Sequence, residues 1–134
     1  MTKTLIWDFD GTLGYWQGGK FGAALLEVVQ RHYPSSNIGY LDVRPHLRAD
    51  IPWHNWQRSH LHINSADEWW DWINPIFERA LVANHIEPEQ ARVMAREVRS
   101  VFLDLERWQL FDDVLPTISR LAEDSWSHVT LRSQ

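Results

Sequence analysis

The chain contains no cysteine, and this absence excludes several kinds of site. Without thiols, neither a disulfide framework nor a thiolate metal centre can form. Basic residues are also in deficit, since 13 Lys and Arg against 18 Asp and Glu give a net charge of −5, and there is no basic run. This balance disfavours nucleic acid and anionic membranes as partners, so we expect the chain to bind neither.

Long apolar runs are missing from the sequence as well. No stretch approaches the ~20 apolar residues that cross a bilayer, and the N-terminus lacks the charged and then apolar pattern of a secretion signal. The expected location is therefore cytoplasmic. A length of 134 residues, 44% of them hydrophobic, suffices for one domain or for a small core with a helical insert.

The two ends of the chain have the pattern of strands, and the middle has the pattern of helices. Residues 4–7 are apolar and partly β-branched, which favours a buried strand of a parallel sheet, and residues 127–134 are typical of a second short strand. Residues 11–22 contain every glycine except Gly39 and are expected to form a loop or flap. Apolar spacings of three and four predict helices that begin near Phe21, Ser65, Pro88 and Asp113.

These elements predict an α/β fold. We expect a partial Rossmann-like parallel sheet of few strands, built from residues 1–16 and 106–134, and a large helical insert over residues 17–105 that makes the protein mostly helical by content. Pro75 leaves one detail open, because it either kinks one helix or begins a second one. Residues 35–64 give no clear pattern.

Helical periodicity also predicts which side chains are buried. The helix near Ser65 carries on one face Trp69, Ile73, Phe77 and Leu81. Trp70 and Trp72 cannot both share that face, so one of them is expected to be exposed or to face the core. In the last helix, the inward residues are expected to be Leu115, Ile118, Leu121 and Ala122.

The strongest chemical signal is the sequence DFDGT at residues 8–12. Asp8 and Asp10 follow the first strand two residues apart, so both carboxylates emerge on one side if the chain stays extended, at the edge where parallel sheets bind ligands. One carboxylate can attack phosphorus while the other acts as general acid and base. Gly11 permits a sharp turn, and the Thr12 hydroxyl with nearby amides can hold phosphate oxygens.

A magnesium ion is the cofactor that this pattern suggests, because paired carboxylates and a phosphate are its usual ligands. These residues have a second interpretation, because Asp and Gly are common turn formers. The sequence favours a simple strand-ending turn and a catalytic role equally. A calcium loop is not favoured, because Leu13, Tyr15 and Gln17 do not provide a good set of alternating ligands.

The run from Asp8 to Leu13, DFDGTL after an apolar strand, resembles the first motif of the haloacid dehalogenase-like hydrolases. The final residues, LFDDVLPTISRLAEDSWSHVTLRSQ, are similar to the family's helix and strand that lead to its second motif. The insert lies where some members carry an α-helical cap. By this resemblance Asp8 is the nucleophile and a Mg²⁺ ligand, Asp10 is the acid/base and a second Mg²⁺ ligand through its main-chain carbonyl, and Ser133 binds the phosphate.

Asp10 also bears on the reaction that the resemblance implies. The family's branches that cleave carbon–halogen bonds or phosphonates usually lack a carboxylate at this position. The resemblance therefore implies a Mg²⁺-dependent phosphatase that acts on a small phosphorylated metabolite through an aspartyl-phosphate. Dehalogenation is a less favoured possibility.

The sequence departs from the family pattern at its end. Gln134 replaces an expected Asn, and the lysine and second acidic pair of the later motifs have no match, since the lysines of this chain are Lys3 and Lys20. We therefore expect the C-terminal part of the family core to be missing from this chain. The alternative function is a truncated, catalytically inactive remnant that acts as a binding or oligomerisation module, and unpaired sheet edges predict a homodimer.

Three histidines close together form a further candidate site, whose role the sequence leaves open. His54, His60 and His62 lie within a short segment. A zinc site needs a further ligand, so a loop with partly exposed imidazoles is the favoured interpretation.

Overall fold

The computed structural model describes residues 3–19 and 21–130. The strands and helices are, in chain order, β1 (Lys3–Trp7), β2 (Gly14–Trp16), α1 (Phe21–His32), α2 (Tyr40–Asp50), α3 (Ala66–Ala83), α4 (Pro88–Phe102), β3 (Trp108–Leu110), α5 (Val114–Glu123) and β4 (Trp126–Thr130). Short 3₁₀ turns occupy Pro52–His54 and Leu105–Arg107. The chain is mostly helical with a small parallel sheet, which confirms the predicted α/β class.

The chain divides into two compact units. Met1–Gln17 together with Asp104–Ser133 form one, named here the sheet unit, and Gly18–Leu103 form the other, the helical unit. None of the helices in the described ranges is both long enough and apolar enough to cross a bilayer.

The sheet unit is built on β1 and β4, which pair in parallel with Lys3 opposite Trp126 and Trp7 opposite Thr130. The indole Nε1–H of Trp7 donates to His128 Nδ1 at 3.1 Å, and the two rings stack with centroids 6.1 Å apart. The parallel pairing of the two chain ends confirms the predicted sheet.

The opposite face of this sheet is open. Ile6 and Val129 are register partners, and their side chains are 64% and 49% exposed. Parallel strands are usually covered on both faces.

The α5 helix also differs from expectation, because Leu115 is 64% exposed and Val114 is the buried residue. The predicted inward set is therefore wrong at Leu115 and Ala122, which are exposed, whereas Ile118 and Leu121 are half-buried. The sheet unit contains too few elements to cover the helix further.

The glycine-rich segment contains a strand as well as loops. β2 pairs antiparallel with β3, and Gly14 lies opposite Leu110. A Cβ at Gly14 would lie 2.5 Å from the main-chain oxygen of Gln109, so only glycine fits this close approach. The expectation of a loop throughout the segment was therefore wrong at β2.

The helical unit has a continuous apolar core. α3 and α4, α1 and α4, and α2 and α3 are the main packed pairs. Its largest fully buried side chains are Leu25, Val28, Val29, Val43, Ile73, Phe77, Leu81, Met94 and Val98. These residues recur at helical spacing, so the amphipathic faces of the four helices meet in one core.

Three details of the helical unit go beyond the prediction or correct it. Pro75 lies inside one uninterrupted helix, which settles the open question about α3. Trp70 is buried and Trp69 is half-buried, so the predicted buried face was wrong at its first residue. The α2 helix was missed, because Pro45 lies inside it and only Val43 and Leu47 of its residues are buried.

Candidate active site

Asp8 follows β1 directly, and a tight loop over residues 9–14 fixes the chain after it. The main-chain oxygen of Phe9 accepts from the N–H groups of Thr12, Leu13 and Gly14 at 3.2, 2.9 and 3.0 Å. Gly11 has a φ of +83°, a left-handed conformation that favours glycine. The sharp turn expected from the sequence is therefore present.

The same hydrogen bonds limit how this loop can hold a phosphate. Gly11 N–H donates to the main-chain oxygen of Gly14 at 2.8 Å, and the next three amides donate to Phe9. The amides of residues 11–14 are thus used inside the loop, contrary to the expectation that nearby amides hold phosphate oxygens. The exposed Thr12 side chain keeps its hydroxyl for that role.

Phe9 separates the two carboxylates and anchors the loop. Its ring is half-buried and contacts Trp108 edge-on, with centroids 5.5 Å apart. Asp8 and Asp10 on either side of it are exposed. The middle residue of the motif therefore packs into the sheet unit, while the two acidic residues remain accessible to a ligand. The anchoring role of Phe9 and Trp108 was not predicted, although the apolar residue between two aspartates was a usable signal.

A second set of aromatic contacts supports β2 beside the loop. The Tyr15 hydroxyl donates to Gln109 Oε1 at 2.8 Å, and its ring lies 5.1 Å from that of Phe111. The main chain of Asp10 forms an isolated bridge with Gly14, the first residue of β2. The antiparallel β2–β3 pair thus holds the loop that follows the motif.

The Asp8 side chain is exposed to solvent. Among the described residues, no Lys, Arg or His forms an ion pair with its carboxylate. Lys3 lies at the opposite end of β1, where its Nζ is 5.0 Å from the centre of the Trp126 ring. Arg107 lies 3.7 Å from Asp104 and 6.0 Å from the centre of the Trp16 ring.

The donor chemistry at the motif fits magnesium in part. Mg²⁺ usually keeps several waters and is held by one or two carboxylates with substrate phosphate. Asp8 is an exposed carboxylate of this kind, and the main-chain oxygen of Asp10, two residues later, is a second oxygen donor. In residues 3–19 and 21–130, no group of three or more His, Asp or Glu side chains is arranged to hold a metal. The two aspartates would therefore supply only part of a coordination shell for Mg²⁺, and water and phosphate would have to complete it.

The remaining candidate residues have different outcomes. Ser133 lies outside the described residues, so its phosphate-binding role stays a prediction. β4 ends at Thr130, opposite Trp7, at the same end of the sheet where Asp8 follows.

In the histidine segment, His60 lies edge-on to Trp72 with centroids 5.5 Å apart, and its Nε2 is 3.3 Å from the main-chain oxygen of Asn55.

Comparison with known proteins gives one informative result. No family model and no curated protein matches the chain. A solved structure does match, the crystal structure of a 2-haloacid dehalogenase from Pseudomonas syringae pv. Tomato DC3000, with 21% sequence identity and a TM-score of 0.53. The match covers 100% of this chain and 57% of that chain. The similarity shows a shared fold, and this chain spans little more than half the length of that protein.

Proposed function

We propose that this protein is a phosphatase-type hydrolase of the haloacid dehalogenase-like kind, acting on a small phosphorylated metabolite. The observation that carries the proposal is the pair of exposed carboxylates, Asp8 and Asp10, at the end of a parallel strand with Phe9 packed between them. The fold shared with a haloacid dehalogenase supports it. Ligands of open α/β sheets bind at this end of the strands.

The reaction proceeds in two displacements. An oxygen of Asp8 attacks phosphorus, the bond from phosphorus to the leaving oxygen breaks, and Asp10 donates a proton to that oxygen. Asp10 then accepts a proton from the water that attacks the aspartyl-phosphate, which releases inorganic phosphate and restores Asp8. The exposure of Asp8 and its freedom from ion pairs with the described residues suit a nucleophile that must reach a substrate.

The other residues of the motif act on the transferred group. The Thr12 hydroxyl donates to a phosphate oxygen, and Ser133 is proposed to do the same. The Asp8 carboxylate and the main-chain oxygen of Asp10 would hold Mg²⁺, which would offset the negative charge shared by the phosphate and the two carboxylates.

Dehalogenation is a second candidate, favoured by one observation. The similar solved structure is a 2-haloacid dehalogenase. In that reaction Asp8 would attack carbon and expel a halide, which needs no proton, so a carboxylic acid at Asp10 would have no leaving group to protonate. The presence of Asp10 therefore favours phosphate esters.

The inactive remnant is the third candidate, and the surroundings of Asp8 favour it. A nucleophile without an ion-pairing cation and without a third acidic ligand nearby lacks groups that are each worth roughly 10²–10³ in rate. The residues described here provide neither at Asp8. Such a chain would act through binding or oligomerisation alone.

The test is phosphate release from a panel of small phosphate esters, with Mg²⁺ and with a chelator. We expect turnover that requires Mg²⁺ and that Asp8→Asn lowers to background, whereas Asp112→Asn, an exposed acidic residue of the same unit, leaves it unchanged. Halide release from a 2-haloacid without phosphate release would indicate the dehalogenase. Neither product at any enzyme concentration would indicate the remnant.

A further inference from the structure

We propose that a groove between α3 and α4 binds a small zwitterion with a primary ammonium group and a carboxylate, of the size of a simple α-amino acid. Both walls of the groove belong to the helical unit, and every residue of the two helices is described. The proposal goes beyond the catalytic proposal and does not depend on whether Asp8 is active.

The groove is a small open cavity of about 180 Å³. Sites for drug-sized ligands usually enclose about 300–1,000 Å³, so this groove suits a ligand of few atoms. It is lined from α3 by Asp71, Asn74, Pro75 and Glu78, and from α4 by Arg92, Ala95 and Arg96.

The α3 wall presents oxygen acceptors that lack partners. Asn74 is half-buried, and its Oδ1 is shielded from solvent and accepts no hydrogen bond from a described residue. Rotation of this amide toward a donor in the groove would remove the cost of the unsatisfied acceptor. Pro75 has no amide hydrogen, so the main-chain oxygen of Asp71 cannot receive the usual helical hydrogen bond from it. This wall needs N–H donors, which an ammonium group supplies.

The α4 wall supplies positive charge. Arg96 is exposed and forms no ion pair with a described residue. Arg92, one turn earlier, donates to Glu89 at 3.1 Å and lies 3.9 Å from Glu78 across the groove. Ala95 between the two arginines is buried, and its small side chain leaves room above it. Two guanidinium groups around this floor suit a carboxylate, which accepts charge-assisted hydrogen bonds from them.

The charges of the two walls favour a ligand that carries both signs. Asp71 and Glu78 on one wall balance Arg92 and Arg96 on the other. A simple cation would be repelled by the guanidinium groups, and a simple anion by the carboxylates. The 3.9 Å between Arg92 Nη2 and Glu78 Oε1 shows that one small molecule can reach both walls. An α-amino acid, in which one carbon atom joins the ammonium and carboxylate groups, matches this arrangement.

Titration of the full chain with glycine, followed by amide proton–nitrogen NMR spectra, tests the groove without reference to turnover. We expect saturable shifts of the Asn74 side-chain amide and of main-chain amides near Asp71 and Arg96. For so open a site, a dissociation constant of roughly 0.1–10 mM is expected. The control ligands, at equal ionic strength, are acetate, methylammonium and glycine betaine. Betaine keeps both charges but has no N–H donor.

Two variants remove one group from each wall. Asn74→Leu removes the unpartnered acceptor at similar volume, and Arg96→Gln removes one positive charge. Arg44→Gln is the matched control, since Arg44 is an exposed arginine of α2 without an ion pair to a described residue. Each groove variant should weaken glycine binding about tenfold, as expected for the loss of one hydrogen bond to a charged group. Circular dichroism checks that each variant is folded.

The proposal expects the control variant to bind glycine as the wild type does, and the three control ligands to bind much more weakly. Shifts that do not saturate with glycine would mean that water alone fills the groove, and would overturn it. Betaine, acetate or methylammonium binding as tightly as glycine would also contradict it, as would an Arg96→Gln variant that binds as tightly as Arg44→Gln.

Discussion

The two units of this chain divide stability and chemistry between them. Of the buried hydrophobic side chains in the described residues, only Leu13, Trp16 and Val114 belong to the sheet unit, and all others belong to the helical unit. The sheet unit nevertheless carries Asp8 and Asp10. The candidate catalytic residues therefore lie on the less well buried part of the molecule.

The difference has a simple physical origin. Each helix of the helical unit buries an apolar face against at least one neighbour, and burial of apolar area stabilises by about 25 cal/mol per Å². In the sheet unit, two parallel strands expose one face, and Ile6 on that face is mostly in contact with solvent. Sites that bind ligands are often drawn from such regions of low local stability.

Replacing one isoleucine by alanine in each unit should give the largest difference in the free energy of unfolding. Ile73→Ala removes a fully buried side chain of α3 and should cost about 2–5 kcal/mol in the free energy of unfolding. Ile6→Ala in β1 should cost less than ~1 kcal/mol, because 64% of that side chain is already exposed. Urea denaturation followed by circular dichroism measures both. Equal losses would show that the open face is covered in solution.

A glycine substitution tests whether the β2–β3 pair holds the motif loop. Gly14→Ala should cost about 1–3 kcal/mol, because its Cβ would clash with the main chain of Gln109, and should lower phosphate release in parallel. Gly39→Ala is the control, since its Cβ would meet no atom nearer than 3.6 Å. Unchanged activity in a destabilised Gly14→Ala protein would separate the loop from catalysis.

The smallest effect is expected at a helix start. The Ser65 hydroxyl accepts from Glu68 N–H at 3.2 Å and caps α3, so Ser65→Ala should cost about 1 kcal/mol of the free energy of unfolding. Phosphate release should not change at a temperature where the protein stays folded. Thermal unfolding and the ester assay are the two measurements, and a loss of activity without a loss of stability would contradict the separation of the units.

The sequence was sufficient to predict the elements whose patterns are strong. The parallel ends of the chain and the helices that begin near Phe21 and Pro88 were predicted from apolar spacing, and the structure confirms them. The α2 helix was missed, because Pro45 is unfavourable inside a helix and too few apolar residues surround it to show the period.

The errors in burial have a different cause. Leu115 has the spacing of a buried residue, but burial needs a covering element, and helical spacing alone cannot show whether one exists. At the candidate site, the pair of aspartates could be read from the sequence. The hydrogen bonds that the amides of residues 11–14 donate within their own loop could not be predicted, because they depend on the path of the main chain.

Asp8 is proposed to accept the phosphoryl group, and trapping the phosphorylated protein shows whether it does. The protein is mixed with a reactive phosphate ester and Mg²⁺, quenched in acid within the first turnovers, and digested for mass spectrometry. We predict one added phosphoryl group on the peptide that contains Asp8, and none on that peptide from the Asp8→Asn variant. Phosphate release from the wild type with no phosphorylated peptide, or with the group on another residue, would contradict the account.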